Sequence, residues 1–142
     1  MTVVTTPHLN FRGTAKEALE FYQSVFGGQL TALTNEQGGR LEVPEELQQI
    51  IFGQVIGESG FRIMAYDVPS TMTYDQGDKS LFVSVRCDSV EEITELWGKL
   101  TVGSTVLSDL APSFFSPAYG MLKDAFGVVW VLDVAVAYNP EA

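Results

Sequence analysis

The chain has 142 residues, 46% of them hydrophobic and 11% aromatic, with 18 Asp and Glu against 8 Lys and Arg and a formal net charge of −10. A chain of about this length buries roughly 70% of its unfolded surface, so a single domain, or two small modules sharing a core, needs no disulfide or structural metal to fold. The acidic balance repels polyphosphate, and Lys16, Lys79, Lys99 and Lys123 lie too far apart to interrupt that field, which excludes nucleic acid as an expected partner. Cys87 is the one cysteine, so no internal disulfide is expected. The opening MTVVTTPHLNF carries neither the basic nor the apolar part of a secretory signal, and the apolar run Val128–Leu132 stops at Asp133, far short of a membrane span. These features predict a cytoplasmic protein with no membrane partner.

In chain order, His8 to Arg12 reads as a strand with Leu9 and Phe11 on one face and His8 and Asn10 on the other. Thr14-Ala-Lys-Glu17 then has the hydroxyl and carboxylate spacing of a helix start, and the helix ends at Gly27-Gly28. Strands follow over Gln29–Asn35, Ile50–Glu58 and Phe61–Asp67, the last two joined by Ser59-Gly60. Tyr66–Asp78, with Pro69 and Gly77, reads as a linker. A second strand at Phe82–Arg86 precedes a second helix opened by Ser89-Val-Glu-Glu92 and closed near Gly103. Strands at Ser104–Ser108, Pro117–Lys123 and Val128–Ala135 complete the chain, the last two joined across Asp124-Ala-Phe-Gly127. Two loops are long: Glu36–Gln49, and Asp109–Ser116 with its adjacent Phe114 and Phe115.

The two helices are copies of one face. Ser89 lies 75 residues beyond Thr14, and at that offset Ala15, Ala18, Phe21, Tyr22 and Val25 fall on Val90, Ile93, Leu96, Trp97 and Leu100. The strands ahead of them repeat at an offset of 74, with Leu9 on Val83, Phe11 on Val85 and Arg12 on Arg86, which predicts a strand-helix loop one residue longer in the second copy. The fold class is therefore α+β: one domain over 1–142, built of two tandem βαβββ modules at about 1–67 and 79–138, with a linker at about 68–78.

The run Pro7-His-Leu-Asn-Phe-Arg-Gly13, then Ala18-Leu-Glu-Phe-Tyr22 and Val25-Phe-Gly-Gly28, resembles the opening of PhnB-like proteins of the glyoxalase, bleomycin-resistance and extradiol-dioxygenase superfamily, the vicinal oxygen chelate proteins. Phe114-Phe-Ser-Pro-Ala-Tyr-Gly120 and Asp124-Ala-Phe-Gly-Val-Val-Trp130 resemble its ending. The resemblance implies that the two modules form a curved mixed sheet around a ligand cavity, within a homodimer. It does not choose a chemistry, because the superfamily contains lyases, epimerases, dioxygenases, thiol transferases and drug-sequestering proteins.

Metal-using members place His and Glu or Gln on the cavity side of paired strands, and about three such donors must converge to hold an ion. Here His8 is the one histidine; Phe52, Ser80-Leu81 and Trp130-Val131 stand where relatives carry other ligands, and Asp133 reads as a solvated or edge carboxylate. Asp67, Glu58 and Glu42 are the carboxylates that could complete a set with His8. Cys87 with His8 would be a nucleophilic pair, but a strand cysteine more often serves as a small hydrophobe. No strand, glycine-rich turn and acidic residue combine to hold a methyl donor.

The expectation is a small-molecule-binding protein with no catalytic metal and no cofactor, its site lined by His8, Asn10, Phe52, Phe82, Ser84, Phe115, Tyr119 and Trp130. The alternative is a metal-dependent lyase, isomerase or dioxygenase using His8 and carboxylates. The acidic surface disfavours anionic ligands unless Arg12 or Arg86 reaches them.

Overall fold

The structure is a computed structural model and describes residues 3–136; the last two residues expected in the second module, 137 and 138, lie outside that range. The chain divides into two compact units between Gln76 and Gly77. Each is a βαβββ unit, and the eight strands form two separate four-stranded mixed sheets rather than one continuous sheet.

In the first unit, β1 (His8–Phe11), α1 (Ala15–Phe26), β2 (Gln29–Thr34), β3 (Ile50–Ile56) and β4 (Arg62–Asp67) form a sheet of order β1-β4-β3-β2. β1 runs parallel to β4 and the other pairings are antiparallel. One face is covered by α1, which buries Ala15, Ala18, Leu19, Tyr22 and Val25, a spacing that keeps one stripe against the strands. The helix comes close at Gly53 of β3, where a Cβ would collide with the Leu19 side chain and the Ala65 carbonyl.

The second unit repeats this with β5 (Val83–Cys87), α2 (Val90–Leu100), β6 (Thr105–Ala111), β7 (Tyr119–Lys123) and β8 (Val129–Val134), in order β5-β8-β7-β6. Gly120 of β7 has the role of Gly53, since a Cβ there would strike the Trp97 ring of α2.

The repeat is imperfect in two respects. The additional residue of the second copy extends β5 to Cys87, whose carbonyl accepts from Ala135 N at 2.9 Å, instead of lengthening the strand-helix loop. The matched helix faces also diverge at their first position: Ala15 is fully buried, whereas Val90 is 41% exposed.

The helix starts differ as well. Ser89 Oγ accepts from Glu92 N at 3.2 Å, the cap that the spacing predicts, and its hydroxyl donates to Glu92 Oε1 at 3.1 Å. Thr14 makes no side-chain cap bond. Its place is taken by Asp67, at the end of β4, whose Oδ1 accepts from Gly13 N at 2.6 Å and Ala15 N at 3.1 Å while Oδ2 accepts from Ile50 N at 2.8 Å.

Among the described residues no helix is long and apolar enough to cross a membrane.

Candidate functional site

The side of each sheet away from its helix is the surface on which chemistry can be arranged. In the first unit, register places His8 beside Met64 and Asn10 beside Tyr66, while Gln54 lies across from Met64 and Thr31, and Phe52 across from Leu33. All of these side chains share the open face, because directly paired residues project to the same side. His8 and Asn10 are exposed and Phe52 is 37% exposed, so three of the expected lining residues meet on one surface.

His8 is held in place twice. Its ring stands edge-on to Tyr66 with centroids 5.1 Å apart, and its Nδ1 lies 3.0 Å from Asn10 Oδ1. With that carbonyl as acceptor, Nδ1 carries the hydrogen and Nε2 of the neutral ring keeps its lone pair for another group. The segment after β4 adds a border: Tyr74 donates its hydroxyl to Asn10 O at 2.9 Å, and the Arg12 guanidinium sits 5.2 Å from the Tyr74 ring centroid. Burial pushes the Tyr74 hydroxyl above its ordinary pKa, with Asp67 and Asp75 acting in the same direction and Arg12 against it.

Sequence reasoning missed Tyr66, Met64 and Gln54. The signal was present in the alternation of β4, where Ile63, Ala65 and Asp67 are buried and Met64 and Tyr66 between them must face the other way. Tyr66 falls where the strand Phe61–Asp67 and the linker Tyr66–Asp78 overlap in the sequence reading.

In the second unit, Ser84 pairs with Val131 and Arg86 with Asp133 across β5 and β8, and Tyr119 and Met121 of β7 lie in register with Asp133 and Val131. Phe115 packs edge-on to Tyr119, centroids 4.9 Å apart, and is 57% exposed, as Phe82 is at 41%. Trp130 is on the other side. It pairs with Val83 and Leu122, is 0% exposed, and its indole donates to Asp124 Oδ2 at 2.8 Å, so it belongs to the helix-facing core. Asp124 also accepts from Phe126 N and Val128 N through Oδ1. The Asp-x-Phe-Gly-x-x-Trp run is thus a buried turn fastener, not a ligand set.

Both arginines are already engaged. Arg12 donates to the carbonyls of Val68, Pro69 and Met72, and Arg86 Nε donates to Asp133 at 3.1 Å. Asp133 is accordingly a buried, paired carboxylate on an inner strand, where the sequence suggested a solvated or edge one.

The long loop after β2 is closed on itself at its neck: Asn35 N donates to Gln49 O at 2.8 Å and Glu36 N to Leu47 O at 3.0 Å. A single 3-10 turn, Pro44–Glu46, sits inside it.

Residues 4–132 match the family described as 3-demethylubiquinone-9 3-methyltransferase. The chain belongs to this PhnB-like family of the vicinal oxygen chelate superfamily. Its structure is similar to protein PA1353 of Pseudomonas aeruginosa, at 28% identity and TM-score 0.81, covering 94% of this chain and 98% of that one. A PhnB protein from Bacillus cereus is also 28% identical, with TM-score 0.72 and coverage of 94% and 100%. A glyoxylase/bleomycin resistance protein/dioxygenase domain from Frankia sp. shares the fold at 14% identity and TM-score 0.66, covering 98% of this chain and 96% of that one. No curated protein matches the chain.

The residues of this PhnB-like chain fit neither of two groups that the superfamily or the family name implies. A metal site needs converging free donors, yet both Asp67 oxygens already accept backbone N–H groups and Asp133 is paired with Arg86. Among the described residues no three His, Cys, Asp or Glu side chains are placed to share an ion. A methyl donor would need a glycine-rich strand-to-helix turn, and the two such turns are Arg12-Gly13-Thr14 and Asp88-Ser89. Cys87 is a poor nucleophile too, because burial, then Glu92 and Asp88, push its thiol above the ordinary value.

Proposed function

We propose that this PhnB-like protein is a metal-independent binding protein for a small, mostly apolar or aromatic molecule, held on the open face of the first sheet. The observation that carries the reading is that face itself. Phe52, Met64 and Tyr66 offer ring and thioether contact area, while Asn10 fixes His8 so that Nε2 is available as an acceptor. Apolar and aromatic side chains with a few fixed polar atoms are the lining a small-molecule site needs. On the second sheet, Ser84, Tyr119, Phe115 and Phe82 are the corresponding contacts, with Phe115 edge-on to Tyr119. Trp130 supports that sheet from behind.

We further propose that the protein works as a homodimer. Leu81, Phe114, Leu107 and Phe115 are exposed, apolar side chains of the second unit that a second copy would cover. The cytoplasm, where a lone thiol such as Cys87 stays reduced, is the compartment this reading assumes.

The test combines elemental analysis with ligand screening. Protein purified without chelators should carry far less than one equivalent of Zn, Ni, Mn or Fe. In a thermal-shift screen of aromatic and heteroaromatic compounds bearing one hydrogen-bond donor, binders should raise Tm, by an amount equivalent to about 2.7 kcal/mol at one hundred times Kd. His8→Ala and Phe52→Ala should abolish the shift. Near-stoichiometric metal that disappears in His8→Ala would instead establish the lyase, isomerase or dioxygenase reading. Light scattering at micromolar concentration should give twice the monomer mass.

A further inference from the structure

An acidic chain disfavours an anionic guest unless an arginine meets it, and Arg12 and Arg86 are already held by protein groups. The open face of the first sheet carries another arginine. We propose that Arg62 anchors the carboxylate of the ligand on that face, and that the ligand class is an aromatic acid with a hydroxyl at the far end of its ring; this rests on the proposed use of the face for binding and names what is bound.

Strand phase puts Arg62 on the open side. It begins β4, in which Ile63, Ala65 and Asp67 are buried, so Arg62, Met64 and Tyr66 project the other way. Met64, two residues on, pairs with His8, while Arg62 itself pairs with Ile56 of β3. Arg62 therefore lies one strand over and two residues along from His8, about 8 Å between Cα atoms. It is exposed and so open to a guest. Among the described residues its side chain makes no hydrogen bond or ion pair, not even with Glu58 in the turn of the same hairpin.

This face is locally positive in a negative molecule. The strands β1 to β4 contain no Glu or Lys, and their one Asp, Asp67, is buried on the helix side with both oxygens accepting backbone N–H groups. Arg62 is thus the one formal charge that these strands present to the open side, and a carboxylate reaching it meets no like charge from the sheet. Guanidinium and carboxylate match as planar forks, two N–H donors to two oxygens. At the other anchor, His8 Nε2 accepts a ligand O–H, since Asn10 Oδ1 takes the hydrogen on Nδ1. Between these anchors a ring has Met64 beneath it, with Phe52 and Tyr66 at its flank. One anchor demands an anion and the other a donor, and a rigid ring substituted at both ends supplies the two together.

The experiment is a calorimetric titration of the full chain, at pH 7 and low salt, with 4-hydroxybenzoate, its methyl ester and benzoate. The acid should bind saturably. The ester keeps ring and hydroxyl but has no charge, and should bind about tenfold or more weakly; benzoate, which lacks the hydroxyl, should lose about threefold or more. Arg62→Gln should bring the acid down to the affinity of the ester and leave the ester unchanged. Lys16→Gln, the same loss of charge on the exposed side of α1, should bind the acid as the parent does. Added NaCl should weaken the acid and not the ester. An ester that binds as tightly as the acid, or an acid preference that survives Arg62→Gln or falls equally in Lys16→Gln, would overturn the role of Arg62 and leave a neutral aromatic site on the face. Absence of saturable heat with the acid would also overturn it; if the neutral aromatic compounds of the thermal-shift screen fail too, the use of the face for binding falls with it.

Discussion

The two modules solve one folding problem with different atoms. In each, the start of the third strand must be tied to the end of the fourth. In the first, the Asp67 carboxylate at the end of β4 accepts from Ile50 N, and it also holds Gly13 N and Ala15 N at the helix start. In the second, the anchor comes from the other side of the corner: the single hydroxyl hydrogen of Ser116, just before β7, is shared between the carbonyls of Ala118 and Val134, and its oxygen accepts from Val134 N at 3.1 Å. The helix start is left to its own Ser89. A duplicated backbone plan therefore leaves the choice of polar fastener free, provided that every buried N–H finds an acceptor.

The same contrast governs the paired arginines. Arg12 and Arg86 occupy matching places in the repeat, but Arg12 straps the segment after β4 by its carbonyls, whereas Arg86 neutralises the buried Asp133.

The largest effect should come from Asp67→Ala, which strands three N–H groups and should lower unfolding free energy by about 3–5 kcal/mol in urea titration, whereas Ser116→Ala should lose about 1–3 kcal/mol. An equal loss in both would break the contrast between a three-way anchor and a local one. Next, Trp130→Phe keeps an aromatic ring but removes the donor to Asp124 and leaves part of the indole space empty, and should destabilise by about 2–4 kcal/mol without changing ligand binding on the open face. A binding defect there would return Trp130 to the site. Arg12→Gln should lower stability by about 1–2 kcal/mol and raise amide exchange selectively over residues 68–74. The smallest effect separates the helix starts: Ser89→Ala should cost about 1 kcal/mol and Thr14→Ala only a few tenths.

Much of the architecture could be read from periodicity. The alternation of Leu9 and Phe11 against His8 and Asn10 places each residue on the correct face, because β1 is covered on one side only. The same logic fails at β8, where Val129, Trp130, Leu132, Asp133 and Val134 are all buried, so no period distinguishes the two faces and Trp130 was assigned to the wrong one. Helix capping was legible where it is local, at Ser89, and illegible at Thr14, because a hydroxyl at the right spacing says nothing about a carboxylate arriving from another strand. The candidate site was half visible. His8, Asn10 and Phe52 follow from strand phase, but Tyr66 joins them through the parallel register of β4 on β1, a pairing between distant segments.

The position of Asp67 also orders events in time. The Ala15 N–H finds its acceptor 52 residues later in the chain, so α1 emerges first during synthesis but is capped only once β4 has been made and docked. α2 carries its cap with it, and its first turn can close as soon as Glu92 has followed Ser89. Counted from its own synthesis, α1 thus waits 52 residues for this acceptor whereas α2 waits three, so the first helix start is secured only with the completion of its module.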